Sequence, residues 1–243
     1  MKIAVVQSRP VKGDVEANLS DHQRWIDQAI ERKVDLLMFP ELSLTGYEPG
    51  LAKELATTAE DGRLDGLQRM ADKYGIVICA GMPIQGADGV LIGMIIFRAD
   101  TPRQVYAKQY LHPDELPFFT TGSEQVFLSL DDNKIALSLC YELSVPEHSV
   151  NAYSHRANIY LSSVAKTAAG VEKALETLAA IASTYSMTVL MANCVGVCDG
   201  DECGGQSAVV NAEGEVLTVL GAGVEGVLTY DTRTGEIDCL NPV

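Results

Sequence analysis

Short apolar runs alternate with longer stretches of helical period along the whole chain, and no other feature narrows the possible folds as far. Residues 3–6 read as a buried strand, and residues 18–33 follow with Leu19, Ile26, Ala29 and Ile30 on one helical stripe. Strands are expected at 34–39 and 76–81, with a helical segment at 66–74 between them. Residues 90–97 and 104–107 read as an antiparallel pair about a turn at Asp100-Thr101-Pro102. A strand at 134–139, a helix starting near Pro146, a strand at 159–162 and a helix at 171–185 come next. Strands at 189–193, 207–211, 216–220 and 227–229 complete the pattern. Alternation of this kind points to α/β layering on a mixed sheet. No Gly/Ser/Pro-rich linker, short repeat or shift of composition divides the chain, so residues 1–243 read as one domain.

Charge and cysteine usage then exclude several classes. The formal charge is −15, from 33 acidic against 18 basic residues, and no Lys/Arg cluster occurs. Nucleic-acid binding needs such a basic patch, so no nucleic-acid partner is expected. No run approaches the ~18 apolar residues of a membrane span, and the apolar start is too short for a signal peptide. Six cysteines in 243 residues are too few for a disulfide scaffold, which a chain of this size does not require. Cys79 lies in the apolar run 76–80 and reads as a small packed hydrophobe. A reducing cytoplasm is the expected location. Cys194, Cys198 and Cys203 form a C-x3-C-x4-C pattern, whereas structural zinc sites use four ligands, commonly as two close pairs. A fourth ligand, such as Cys239 or His155, would have to come from elsewhere, the pair spacing is atypical and Cys194 fits a strand end, so no metal is expected; residues 198–202 read as a polar loop.

Catalytic groups in open α/β sheets collect beyond the carboxyl ends of strands. Three such places carry unusual residues here. An apolar strand runs into Pro40, which cannot continue a central strand, and Glu41 follows at once. A carboxylate so close to apolar residues is partly desolvated, which raises its pKa toward the range of a general base; the alternative is a turn cap or an ion pair. Lys108 follows the strand 104–107, where an ammonium stabilises an oxyanion or lowers a thiol pKa, unless it is simply solvated. The strand 134–139 ends on Cys140 with a helix expected soon after, a turn that exposes a nucleophile beside backbone N–H groups. A buried structural thiol is the alternative for Cys140 alone. Taken together, the three strand ends favour a covalent catalyst with Cys140 as nucleophile.

The three segments resemble the signatures of the carbon–nitrogen hydrolase (nitrilase) superfamily. They read Phe39-Pro40-Glu41-x-x-x-x-Gly46-Tyr47, the Lys108 segment, and Cys140-Tyr141-Glu142-x-x-x-Pro146-Glu147, in the family's order and spacing. Ala192-Asn193-Cys194-Val195-Gly196 and Gly204-Gly205-Gln206-Ser207 resemble later family segments, so the likeness spans nearly the whole chain. The resemblance implies a four-layer α-β-β-α sandwich and an amidase-like enzyme needing no cofactor. It also implies that Glu41 is the general base, Cys140 the nucleophile, Lys108 an oxyanion donor and the Tyr141 backbone N–H the second donor. Glu115 occupies the place of a second family glutamate that positions Lys108 or assists proton transfer, with Asp114 as its neighbouring competitor. Homodimers packed sandwich to sandwich are also implied.

Ser144 stands where many amidase and carbamoylase members carry an Arg, which disfavours a carboxylated N-carbamoyl substrate. Glu142 replaces the more common Asp and is expected to be structural. His22, His112, His148 and His155 are the rival bases of a Cys–His dyad; His148 lies eight residues past Cys140 and His112 four past Lys108, but neither has a protease-like context. A small linear amide is the expected substrate. Nitrile or N-carbamoyl hydrolysis, and a non-catalytic binding member of the fold, are the alternatives. The pocket walls, expected from residues 47–52, 112–121 and 163–170, cannot be placed from sequence.

Overall fold

A computed structural model describes residues 1–240. Among the described residues, seven strands form one sheet in the order Ile237–Leu240, Gly226–Asp231, Lys2–Gln7, Leu36–Met38, Val77–Gln85, Val90–Phe97 and Gln104–Ala107. Six form a second sheet: Val216–Val219, Ala208–Val210, Thr188–Asn193, Ile159–Val164, Asn133–Leu139 and Phe127–Leu130. Each sheet has a parallel centre of three strands with antiparallel flanks.

The period of two along a strand explains the layering. Ile3 and Val5 point into the space between the sheets, where they join Leu36, Met38, Ile135, Leu137, Leu161 and Leu190. Ala4 and Val6 point the other way, onto Trp25, Ile26 and Ala29 of helix Val15–Glu31 and Leu67 and Ala71 of helix Asp65–Tyr74. On the second sheet, Ala136, Tyr160 and Val189 pack against Val171, Ala174 and Leu178 of helix Ala168–Tyr185 and against Ala152 of helix Pro146–Ser154. Strands buried on both faces read as continuous apolar runs, which is why they stood out in the sequence. The result is the four-layer α-β-β-α sandwich that the resemblance implied. Each large side chain so buried stabilises the fold by about 1.5–3 kcal/mol.

Several bounds shift by a few residues, and one expectation is overturned. The polar loop expected at 198–202 is a hairpin, Val195–Cys198 paired antiparallel with Asp201–Gly204. Its turn is Asp199-Gly200, both at positive φ (49° and 87°), the conformation of a two-residue hairpin turn. The Asp-Gly pair was the signal; the polar, cysteine-containing flanks lack the alternation that marks a half-buried strand. Among the described residues, no helix is long and apolar enough to cross a membrane.

Candidate active site

Strand ends from both sheets converge on one place. Beyond Leu36–Met38, Phe39 donates its N–H to the Cys79 carbonyl (2.9 Å), and the chain then turns over the adjacent strand at Gly81. A Cβ on Gly81 would lie 2.3 Å from the Leu42 nitrogen, so only glycine lets the loop pass. Leu42 itself sits at φ 50°, strained for a bulky residue. The Glu41 N–H reaches the Val164 carbonyl (3.3 Å), and the Ser163 hydroxyl donates to the Phe39 carbonyl (2.8 Å). Glu41 is thereby tied to the second sheet.

Lys108 follows Gln104–Ala107. Its carbonyl accepts from the Gly122 N–H at 2.7 Å, an approach so close that a Cβ on Gly122 would fall 2.1 Å from the Ala107 carbonyl oxygen. Cys140 begins the 3-10 turn Cys140–Ser144 at φ 42°, a strained conformation of the kind found at functional sites. Tyr141 follows in the first turn, where backbone N–H groups lack intrahelical partners. Glu142 holds this turn: it accepts from the N–H groups of Leu139 (2.7 Å) and Gln109 (2.6 Å) and from the Tyr106 hydroxyl (2.5 Å). The structural role expected of Glu142 is thus to join the Cys140 turn to the Lys108 strand.

The ammonium of Lys108 lies between two carboxylates, 2.8 Å from Glu41 Oε1 and 2.6 Å from Glu115 Oε1, with all three side chains essentially out of water. Glu115 is fixed in turn by the Tyr47 hydroxyl (2.8 Å) and the His112 N–H (2.7 Å). Asp114 is instead 89% exposed and faces the His112 ring, so the structure brings Glu115 and not Asp114 to Lys108. Among the described residues, none makes a hydrogen bond to the buried Glu41 Oε2. Burial raises the pKa of Glu41, opposed by Lys108, and Glu115 adds to the rise. Burial also works against the charge of Lys108, but Glu41, Cys140 and Glu115 together outweigh it and hold the ammonium protonated. The Cys140 thiol is pushed up to about 11, by burial first and by Glu41 second, although the residue as a whole is only half-buried. At neutral pH the sulfur is therefore a thiol that needs a base, and a carboxylate with a free oxygen stands beside it.

The rival histidines are otherwise engaged. His148 bonds Tyr106 (2.9 Å) and Tyr160 (2.6 Å), and burial lowers its pKa to about 4, so it is neutral and acts in the core. His112 rests edge-on against Tyr141 at 5.1 Å, with its ring nitrogen toward Asp114. Ser144 is exposed and brings no charge. Sequence reasoning missed three contributors. Tyr47 lay inside a recognised segment without an assigned role. Lys166 lies close enough to lower the Cys140 pKa, and Asn193 fixes it by accepting from the Lys166 N–H (2.9 Å) and donating to its carbonyl (3.1 Å). Lys166 follows a strand end just as Lys108 does, which was the available signal. Cys194, Cys198 and Cys203 come together with their sulfurs within 4.8 Å of one another. The two fourth ligands considered are elsewhere: Cys239 is exposed on an edge strand, and His155 stacks on Phe127.

The sequence pattern of the family described as carbon-nitrogen hydrolase matches residues 2–238. The chain is 29% identical over 224 residues to 2-oxoglutaramate amidase of Bacillus subtilis (strain 168), covering 89% of this chain and 84% of that protein. It is 25% identical over 247 aligned positions to glutamine-dependent NAD(+) synthetase of Thermotoga maritima, covering 97% of this chain but only 42% of the synthetase. Among solved structures, it superposes with a TM-score of 0.85 on a variant of the amidase from Nesterenkonia sp. AN1, which shows covalent addition of the acetamide moiety of fluoroacetamide at its active-site cysteine. Sequence identity there is 26%, over 94% of this chain and 89% of that one.

Proposed function

The chain belongs to the carbon–nitrogen hydrolase family, and from that premise we propose that it hydrolyses a small linear amide through a thioester on Cys140. The observation that carries this reading is the Lys108 ammonium clamped by Glu41 and Glu115 while Glu41 Oε2 stays unpartnered near the thiol. Glu41 takes the thiol proton as the sulfur attacks the carbonyl carbon. Lys108 and the Tyr141 N–H receive the oxyanion, each donor contributing about 3 kcal/mol in comparable sites. The C–N bond breaks as Glu41 returns the proton to the leaving nitrogen, and ammonia departs. Water, deprotonated by Glu41, then attacks the thioester carbonyl; the C–S bond breaks, the carboxylic acid leaves, and the thiol is restored. Glu115 keeps the ammonium aimed at the reacting oxygen.

Burial of Glu41, Lys108 and Glu115 leaves Cys140 and Tyr141 as the half-exposed members of the set, which supports a slender substrate entering by its reacting end. Relatives named as amidases support the amide. Ser144 is uncharged, so a carboxylate at the far end of an ω-amide substrate would need another cation, and Lys166, whose charge lowers the Cys140 pKa, is our candidate.

The test is ammonia release from a panel of neutral amides, ω-amides, nitriles and N-carbamoyl compounds. Amides should lead, and Cys140→Ala should lose at least ~1000-fold in kcat, as expected when a covalent nucleophile is removed. A nitrile leading the panel would change the substrate class. An unaffected Cys140→Ala would end the mechanism.

A further inference from the structure

We propose that Cys194, Cys198 and Cys203 form a binding site for one thiophilic d10 cation of the zinc(II) or cadmium(II) class, held by three thiolates. The hairpin's shape makes the site. Four residues of straight strand would separate Cys194 from Cys198 by about 13 Å. Gly196, at φ 85°, bends the chain between them, and the two sulfurs stand 3.5 Å apart. Cys203 joins from the paired strand, directly opposite Gly196. A tetrahedral zinc with bonds of about 2.3 Å holds its sulfurs about 3.8 Å apart. With one pair at 3.5 Å and all three sulfurs within 4.8 Å of one another, shifts of an ångström or less reach that spacing.

Packing does not account for the cluster. Cys79 lies among Leu, Ile and Met side chains, as a thiol serving as a small hydrophobe does. The three thiols instead form a buried group of their own, touched by Tyr47 and Ala165. All three are free, and a disulfide would use two and strand the third. The hairpin tip above them carries Asp199, Asp201 and Glu202, all exposed, a rim that favours an approaching cation. On binding, each sulfur exchanges its proton for a bond to the metal, so a divalent ion displaces three protons and leaves the site with net charge −1. Soft thiolate donors select such ions over magnesium or calcium. Cys140 is not one of the gathered sulfurs but lies across a shared wall: its sulfur is 3.9 Å from the carbonyl oxygen of Ala165, which also touches the trithiol group.

The experiment titrates the reduced, chelator-stripped full chain with cadmium(II). Native mass spectrometry reads stoichiometry, and the ultraviolet thiolate-to-cadmium band reads sulfur ligation. One ion per chain is expected for the wild type, Cys140→Ala and Cys239→Ser, with affinity at least tenfold weaker in Cys198→Ser and in Cys203→Ser. The proposal is overturned if the wild type retains no ion, if binding persists in the Cys198→Ser/Cys203→Ser double variant, or if Cys140→Ala abolishes it. Iodoacetamide labelling of the wild type needs no variant to fold. Cadmium should slow modification of Cys198 and Cys203 and leave Cys239 unchanged, and equal labelling with and without the ion would also overturn the site.

Discussion

An ammonium enclosed by two carboxylates and cut off from water has two jobs in this molecule, and single substitutions separate them. Lys108 neutralises Glu41 and Glu115, so Lys108→Met leaves two buried carboxylates facing each other. Breaking a buried ion pair in this way costs about 3–5 kcal/mol, and denaturant melts should show it alongside the loss of activity. Glu115→Gln, which keeps a side chain able to accept from Tyr47, should be milder in both measurements. The pH profile is argued at the same scale. The mechanism needs Glu41 ionised, and burial holds its pKa above the ordinary carboxylate value of 4.5. Lowering the pH through that raised value protonates the base, so kcat/KM should fall on an acidic limb lying above 4.5. The limb belongs to the coupled Glu41–Lys108–Cys140 set rather than to Glu41 alone. A limb at or below the ordinary value would contradict the desolvated base.

Elements place these residues through close backbone approaches, and here the sequence was legible in part. The strand ends before Glu41, Lys108 and Cys140 could be read because each follows a short apolar run, and Pro40 marks where one of them must stop. What joins them could not be read. Tyr47 bonds Glu115 across 68 positions, and Glu142 reaches the Gln109 N–H across 33; neither contact leaves a local pattern. The hairpin at 195–204 escaped because its signal was a single Asp-Gly pair, and the trithiol cluster because its spacing becomes meaningful only once Gly196 bends the strand. Gly122 gives this scale its prediction. Gly122→Ala places a methyl against the Ala107 carbonyl and pushes on the Lys108 loop. Overpacking of this sort costs about 1–3 kcal/mol, and kcat should fall further than that loss of folded protein accounts for, measured on the folded fraction.

Across the whole molecule, the layering followed from strands apolar on both faces, but their division into two sheets did not. Residues 134–139 and 3–6 look alike in sequence, and only the pairing of Asn133–Leu139 with Ile159–Val164, rather than with Lys2–Gln7, assigns them to different sheets. That division has a mechanical consequence. Glu41 and Lys108 follow strands of one sheet and Cys140 a strand of the other, so the seam, pinned by the hydrogen bonds from Glu41 to Val164 and from Ser163 to Phe39, is a calliper whose jaws are base and nucleophile. A slip of about one ångström between the sheets would leave every strand intact and still cost about a hundredfold in rate. On slow heating, activity should therefore fade at a lower temperature than the far-ultraviolet circular dichroism signal of the strands. Coincident loss of both would mean that the sheets part only when they unfold. A crosslink across the seam would then preserve turnover no better than one placed within a sheet.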